Sequence, residues 1–523
     1  MPKKNLSLTI VAHEGYIRHE EDAEKYAPQQ AGIFAAISET YLPLLKLFAA
    51  LEKDGVPFRL NMVFSPTLCA LLTDSLVQTQ YLDWLDKNST FGERELSRFG
   101  TGDKRRALAE NCLAKANEDR RLFADEYGGD ILAGFKRFAA RGYIELMATA
   151  ATYAFLPHYA DLPETLCAQV EVGLLSHNAY FSAKPEGFWL PYMGYAVGIE
   201  RLLRAYDMNY TITDSHAALL GKPPAQRGVF SPVRCANELA VLVRAYEGAA
   251  GGSASLPQRG VYRNQRRDAA FEENAGEPFG FVGKGGARIP SLYKYRPQSD
   301  GHACYDPAAA EAQAKKDAEA FLAGKIKLLG EAEQADTAAD LSLAYAFRAQ
   351  FFGAEWHEGI GWLEQVLRLS GSEYPGLLTQ NVALLDNQSS LQKIALYPSA
   401  FVSADTFLDN SNAHLLRYAR KAGERMTELA RRFSCTDGIS FSSLNVAAAH
   451  TLLVQASDWP KMLHDRLFPG YAAERFAASV AALTTVFDSL GSRGVSPEWL
   501  VQAEKKHTLF PWIHYRVFGD CRN

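Results

Sequence analysis

The sequence predicts an α/β fold, closed as a barrel rather than laid out as an open sheet, followed by a helical domain. Short β-branched apolar runs recur along the first 215 residues. Helix-patterned segments separate them, which is the alternation of a parallel sheet. From about residue 407 onward only helical patterns remain.

LSLTIVAH (6–13) and FRLNMVFS (58–65) have the composition of strands buried on both faces. Between them, QAGIFAAISETYLPLLKLFAALEKDG keeps an apolar stripe at helical spacing and closes on a glycine, completing a β-α-β unit. Residues 90–140 are charged and helix-favouring, and are expected as helices inserted in the parallel core. Strand-like segments return at YIELMATAAT (143–152), GFWLP (187–191) and YTITDS (210–215). Tyr192 stands just past GFWLP, at a strand end, where barrels and doubly wound sheets place their chemistry.

At 523 residues the chain is too long for one core. Its 47% hydrophobic and 22% charged residues are ordinary for a globular protein. A net charge of −5 gives no basis for a nucleic-acid partner or an anionic membrane surface. No apolar run reads as a membrane span, and the N-terminus reads as a strand rather than a signal sequence. The seven cysteines are scattered without a CxxC pair, so free thiols in a reducing cytoplasm are expected, and no metal site or cofactor.

Residues 246–303 carry YEGAAGGSAS, then QRGVYRNQRRD, then GKGGAR. A lid and a surface insertion are both open for such a loop. Arg259, Arg263, Arg266 and Arg267 could hold phosphate or pair with Asp268, Glu272 and Glu273. GKGGAR lacks the GKS/T ending of a nucleotide-binding loop.

Seven stretches, in order along nearly the whole chain, resemble the branching-enzyme group of glycoside hydrolase family 57. VAHEGYIRH (11–19) is similar to that family's HxHxPYVRH. GYIELMATAATYAFLP (142–157) is similar to GxIEL...ATHxxLP, GFWLPYMGY (187–195) to GFWLPECGY, and FFGAEWHEG (351–359) to part of DAELFGHWWYEG. VYRNQRRD (261–268), QASDWPKML (455–463) and FPWIHYRVF (510–518) resemble further family segments.

The resemblance implies a (β/α)7 barrel over residues 1–90 and 141–400, an inserted helical subdomain at 91–140, and a helical C-terminal domain at 401–523. It implies retaining chemistry on α-1,4-glucan, with transfer to a 6-hydroxyl, and an α-glucan or malto-oligosaccharide as ligand. With no sequence signal for association, it also points to a monomer.

Retaining glycoside chemistry needs two carboxyl groups about 5 Å apart. The family's nucleophile aligns with Tyr192 and its acid/base with Arg348. Other family residues are replaced at Val11, Tyr153, Gln350, Ala354 and Phe401, while His13 survives. Arginine cannot act as a general acid near neutral pH, and its charge opposes an oxocarbenium-like transition state. A tyrosine nucleophile is known chemistry but needs a base to ionise it.

The expectation is therefore a catalytically degenerate family member that binds a glucan or a partner, with Arg348 donating to the Tyr192 hydroxyl or meeting an anionic ligand. His13, Trp189, Asp214, Trp356 and Trp459 are the candidate glucan contacts, with core packing the competing role of each tryptophan. An enzyme using Tyr192 or a displaced acid (Glu14, Glu355) remains open, as does a scaffold with no carbohydrate role.

Overall fold

The computed structural model describes residues 3–20, 23–246, 253–283, 286–299, 303–336, 340–386, 390–434, 436–490, 494–519 and 521. Eight strands form one sheet: β1 (Lys4–Ala12), β2 (Leu60–Phe64), β3 (Ile144–Thr149), β4 (Gly187–Trp189), β5 (Tyr210–Thr213), β6 (Val233–Arg234), β7 (Ala240–Val243) and β8 (Leu341–Arg348). The sheet order is β6-β7-β5-β4-β3-β2-β1-β8, and every pair is parallel except β6 with β7. A parallel bridge between Arg244 and Ala344, with the Ala245 amide donating to the Ala344 carbonyl at 2.8 Å, joins β7 to β8. Seven parallel strands thus close into a barrel, and β6 is a short antiparallel flap on β7.

Side chains alternate across a strand, so every second residue faces the barrel axis. Val11, Val63, Met147, Trp189, Ile212, Leu242 and Ala344, one from each barrel strand, fall in a single buried cluster that fills the interior. Two residues further along, the same parity brings His13, Ser65, Asp214 and Arg244 to the C-terminal mouth, and Arg348 ends β8 on the same face. That mouth is where parallel barrels carry function.

The expected helix after β1 runs from Ala23 to Lys53, through a π-helical turn at Ile37–Tyr41. This helix is long and apolar enough to cross a membrane, against the sequence expectation, but most of it is buried in the protein core. Helices at Ser75–Arg98, Lys104–Arg121 and Ile131–Ala140 fill the connection from β2 to β3. After the barrel, helices at Ala413–Arg432, Gly438–Val454, Asp458–His464, Pro469–Leu490 and Pro497–Lys506 pack beside the mouth.

The 246–303 segment is neither an open lid nor a loose insertion where it is described. Tyr262, Phe281, Tyr293 and Tyr295 are buried. The Tyr293 hydroxyl donates to the Asn88 carbonyl at 2.9 Å and the Trp84 indole to the Pro290 carbonyl at 2.9 Å, fastening the segment to the inserted helices. Its arginines are used internally: Arg263 pairs with Glu39 at 2.6 Å, Arg259 with Asp317 at 3.0 Å and Arg267 with Glu272 at 3.7 Å. Most of the Gly/Ser run and part of GKGGAR lie outside the described residues.

The cysteines also depart from expectation. Cys167 and Cys521 form a disulfide across 354 residues, tying the end of the chain to the barrel helix Pro163–Phe181. Cys69, Cys112, Cys235 and Cys304 are free. With one disulfide present, thiol content no longer argues for a reducing compartment.

Candidate functional site

Tyr192 sits on a 3-10 turn, Pro191–Met193, directly after β4. Pro191 sets the first turn position, and the chain then enters the left-handed region at Tyr192 (φ 55°) and Met193 (φ 52°). Tyr153, on the loop after β3, is left-handed as well (φ 52°). Non-glycine residues with such φ values are uncommon, and three of them meet at this mouth.

Their rings make a continuous stack. His13 lies flat on Tyr153, centroids 3.8 Å apart and planes 14° apart. Tyr153 meets the Tyr192 ring edge-on at 5.3 Å, and Tyr192 meets Phe407 of the C-terminal region at 5.0 Å. The Trp189 indole donates to the Tyr153 hydroxyl at 3.0 Å from below. Aromatic side chains therefore occupy the mouth where a sugar ring would have to enter.

Arg348 does not reach Tyr192 as expected. Its guanidinium pairs with Glu355 on the loop beyond β8 and is 64% exposed. This corrects the donation to the Tyr192 hydroxyl. The Tyr192 hydroxyl has its pKa pushed well above the ordinary tyrosine range. Burial is the main cause, Asp458 and Tyr153 add to it, and Arg348 opposes it weakly. Ionising it as a nucleophile is disfavoured by its surroundings.

On the β1 side the polar groups are tightly coupled. His13 bonds Ser65 through Nδ1 at 2.9 Å and Asp458 through Nε2 at 3.0 Å. Ser65 is fully buried and accepts from the Leu68 amide as a helix cap, so this Ser-His-Asp series has no exposed nucleophile. Gln350 donates to the His13 carbonyl at 2.9 Å and to the Glu14 carboxylate at 2.8 Å. Burial raises the Glu14 pKa, partly offset by Gln350, His13 and Arg348. Gly15 makes the arrangement fit, because a Cβ there would lie 2.9 Å from Asp458 Cγ.

On the β5–β7 side, Asp214 caps the helix Ser215–Leu219 and binds His216 Nδ1 at 2.5 Å. Arg244 approaches Asp214 to 4.0 Å and lies over the rings of Phe401 (4.1 Å) and Tyr246 (5.7 Å).

Of the residues the sequence singles out, Tyr192, Arg348, His13 and Asp214 gather at the mouth, while Trp189 is buried in the barrel interior beneath it. Trp356 does not: it is fully buried against Tyr262, Phe351 and Trp362, so its ring has no face for a sugar. Trp459 is buried too, donating to the Leu453 carbonyl at 2.7 Å. Both are packing residues in this structure. Asp458 and Arg244 escape the sequence reading, although each leaves a signal. Asp458 immediately precedes Trp459 in QASDWPKML, and Arg244 ends the apolar run LAVLVR. Among the described residues no group of three or more His, Cys, Asp or Glu is placed to hold a metal ion.

A closed seven-stranded parallel barrel with polar side chains at its C-terminal mouth and a helical domain against that mouth defines a protein of enzyme-type architecture. The profile described as glycosyl hydrolase family 57 matches residues 8–260, and that of the 1,4-alpha-glucan branching enzyme C-terminal region matches residues 418–518. A 1,4-alpha-glucan branching enzyme of Thermococcus kodakarensis is 24% identical over 509 residues, spanning 90% of this chain and 72% of that protein. A probable 1,4-alpha-glucan branching enzyme of Mycobacterium tuberculosis is 23% identical over 499 residues, 90% of this chain and 89% of the relative.

The fold superposes on the crystal structure of an alpha-amylase of Thermotoga maritima with a TM-score of 0.90, at 24% identity and 99% coverage of both chains. It superposes on a branching enzyme of Pyrococcus horikoshii with a TM-score of 0.86, at 22% identity, covering 99% of this chain and 97% of the other. The chain is similar to glycoside hydrolase family 57 and its branching-enzyme group over both matched regions, and its fold is a (β/α)7 barrel with a helical C-terminal region like that of these structures.

Proposed function

We propose that this chain is a family member that has lost retaining glucan chemistry and acts by binding an α-glucan at the rim of a closed barrel mouth. One observation carries the reading: the position the family resemblance assigns to the nucleophile is filled by Tyr192, wedged between Tyr153 and Phe407. The acid/base position adds support, since Arg348 is held by Glu355 and a guanidinium is no general acid. Losing groups that act as a unit commonly costs orders of magnitude in rate. The branching relatives act on α-1,4-glucan by name, which is why α-glucan is the ligand class chosen.

Amylose incubated with the protein tests this directly: the iodine stain persists and no α-1,6 linkages appear, while malto-oligosaccharide binding is seen by calorimetry. Loss of stain, or new branch points, would overturn the loss of chemistry; absence of binding would favour a scaffold without a carbohydrate role. The double variant Tyr192→Glu with Arg348→Asp is expected to recover little activity, because Tyr153 still fills the mouth.

A second reading draws on Glu14, whose buried carboxyl is held towards its protonated form close to Asp458. Under it, a displaced acid supports slow hydrolysis, and Glu14→Gln abolishes whatever turnover the amylose assay detects.

A further inference from the structure

Arg244 is the mouth cation whose bonding is incomplete among the described residues. It lies at the end of β7 with its side chain 14% exposed. Its Nε and Nη1 atoms are buried and have no hydrogen-bond partner. The nearest carboxylate, Asp214, stands at 4.0 Å and already serves His216 through its other oxygen. A buried cation with open donors is a costly arrangement unless an acceptor completes it. Burial also depresses the Arg244 pKa, with Asp214 only partly compensating.

The surroundings suit a sugar. The guanidinium is layered on Phe401, which is 49% exposed, and beside Tyr246, which is 60% exposed. The Phe401 amide donates to the Tyr192 carbonyl at 2.9 Å, so this corner adjoins the filled mouth. Half-exposed aromatic faces stack on sugar rings, and a planar guanidinium fork matches carboxylate and phosphate oxygens two at a time.

The loss of acids relative to the family pattern favours an acidic sugar over a neutral one at Arg244. At the three positions where the family pattern has acids, this chain has Tyr192, Arg348 and Gln350. Of the acids that remain, Asp458 bonds His13 through one oxygen, Glu14 accepts from Gln350, Glu355 pairs with Arg348, and Asp214, the carboxylate nearest Arg244, serves His216.

We propose that Arg244, with Phe401 and Tyr246 as stacking faces, is the anchor of a rim subsite for an acidic oligosaccharide, one carrying a carboxylate or a phosphate. The assignment rests on the reading that a carbohydrate binds at the mouth, but differs from it in the charge of the ligand.

Calorimetry at low ionic strength with three probes separates the two: maltohexaose, maltohexaose carrying one 6-phosphate, and a glucuronic acid hexamer. The wild-type protein is expected to bind at least one acidic probe about tenfold or more tighter than maltohexaose, with the preference shrinking as salt is added. The tighter acidic probe identifies the group recognised. Arg244→Gln removes the preference, whereas Phe401→Ala weakens all bound probes alike.

Equal binding of neutral and acidic probes overturns the inference and leaves the glucan reading standing. Binding of none overturns both. Should Arg244→Gln fail to fold, the Arg244 Nε–H resonance of the wild-type protein, assigned with Arg244→Lys, supplies a second measure. It shifts on titration with the acidic probe if the subsite is real, and an unmoved resonance at saturation refutes it.

Discussion

Lowering the pH from 7.5 to 5 should weaken packing within the C-terminal helical domain, and His450 gives the magnitude. Its imidazole is buried and meets His507 edge-on, ring centroids 4.2 Å apart, with the Nδ1 atoms of both rings unpaired. Burial, with a smaller contribution from Arg475, lowers the His450 pKa from 6.5 to about 4. His507 is lowered as well, by burial and then by His450. An imidazole with a folded pKa below its unfolded one binds its proton more readily when unfolded. Its stability contribution is intact above about pH 6.5, falls as the pH drops through 6.5 towards 4, and levels off below that.

Each pKa unit is worth about 1.4 kcal/mol, so His450 alone implies a loss of about 2 kcal/mol at pH 5 and about 3 kcal/mol below pH 4. Urea unfolding at pH 7.5 and pH 5, for wild type and His450→Gln, isolates this contribution. The variant should show a pH dependence smaller by about 2 kcal/mol, whatever its absolute stability. Identical pH dependence in the two proteins would refute the buried neutral imidazole. The pair also bears on the site, because the His507 ring lies 6.4 Å from that of Tyr16, tilted by 32°, and His19 bonds the Tyr471 hydroxyl at 2.7 Å. Both contacts hold the segment that carries His13 and Glu14.

Further predictions follow from packing. Gly15→Ala places a methyl against Asp458, parts the His13–Asp458 bond and should cost about 1–3 kcal/mol in urea unfolding, with the His13 imidazole resonance shifted. Trp356→Ala leaves a core cavity and should cost about 3–5 kcal/mol, yet oligosaccharide affinity measured where the variant is folded should not change. Cys167→Ser with Cys521→Ser, which frees the chain end from the barrel helix, should lower stability by about 2–4 kcal/mol, and reductant should then have no added effect.

The first five strands are legible because each is a short apolar run bounded by helix patterns or turn residues. The same signal exists for β7 in AVLV and for β8 in LSLAYAFR, but each adjoins a segment of different character: the glycine-rich loop after β7 and the alanine-rich helix Pro307–Ala335 before β8. Tyr192 and Arg348 can be placed at the mouth because both follow strand ends within recognisable segments. What each touches is another matter. Arg348 chooses Glu355 on its own loop, and His13 finds Asp458 across 445 residues, from a domain whose docking no local pattern encodes. The tryptophans show the limit from the other side: an indole suits a sugar face and a core equally, and only burial separates Trp356 from a groove.

The left-handed turn at the mouth has a consequence for engineering this chain. Tyr153, Tyr192 and Met193 hold backbone angles that cost on the order of 1 kcal/mol or more each for residues with a side chain. Here such tension holds the rings of Tyr153 and Tyr192 against each other at the mouth. A residue that tolerates positive φ, such as asparagine, would release tension at Met193, but that side chain is buried in the barrel's apolar cluster, where an unpaired amide costs more than the strain it relieves. The strained turn and the buried cluster beneath it therefore fix each other, and neither can be exchanged singly without loss of stability.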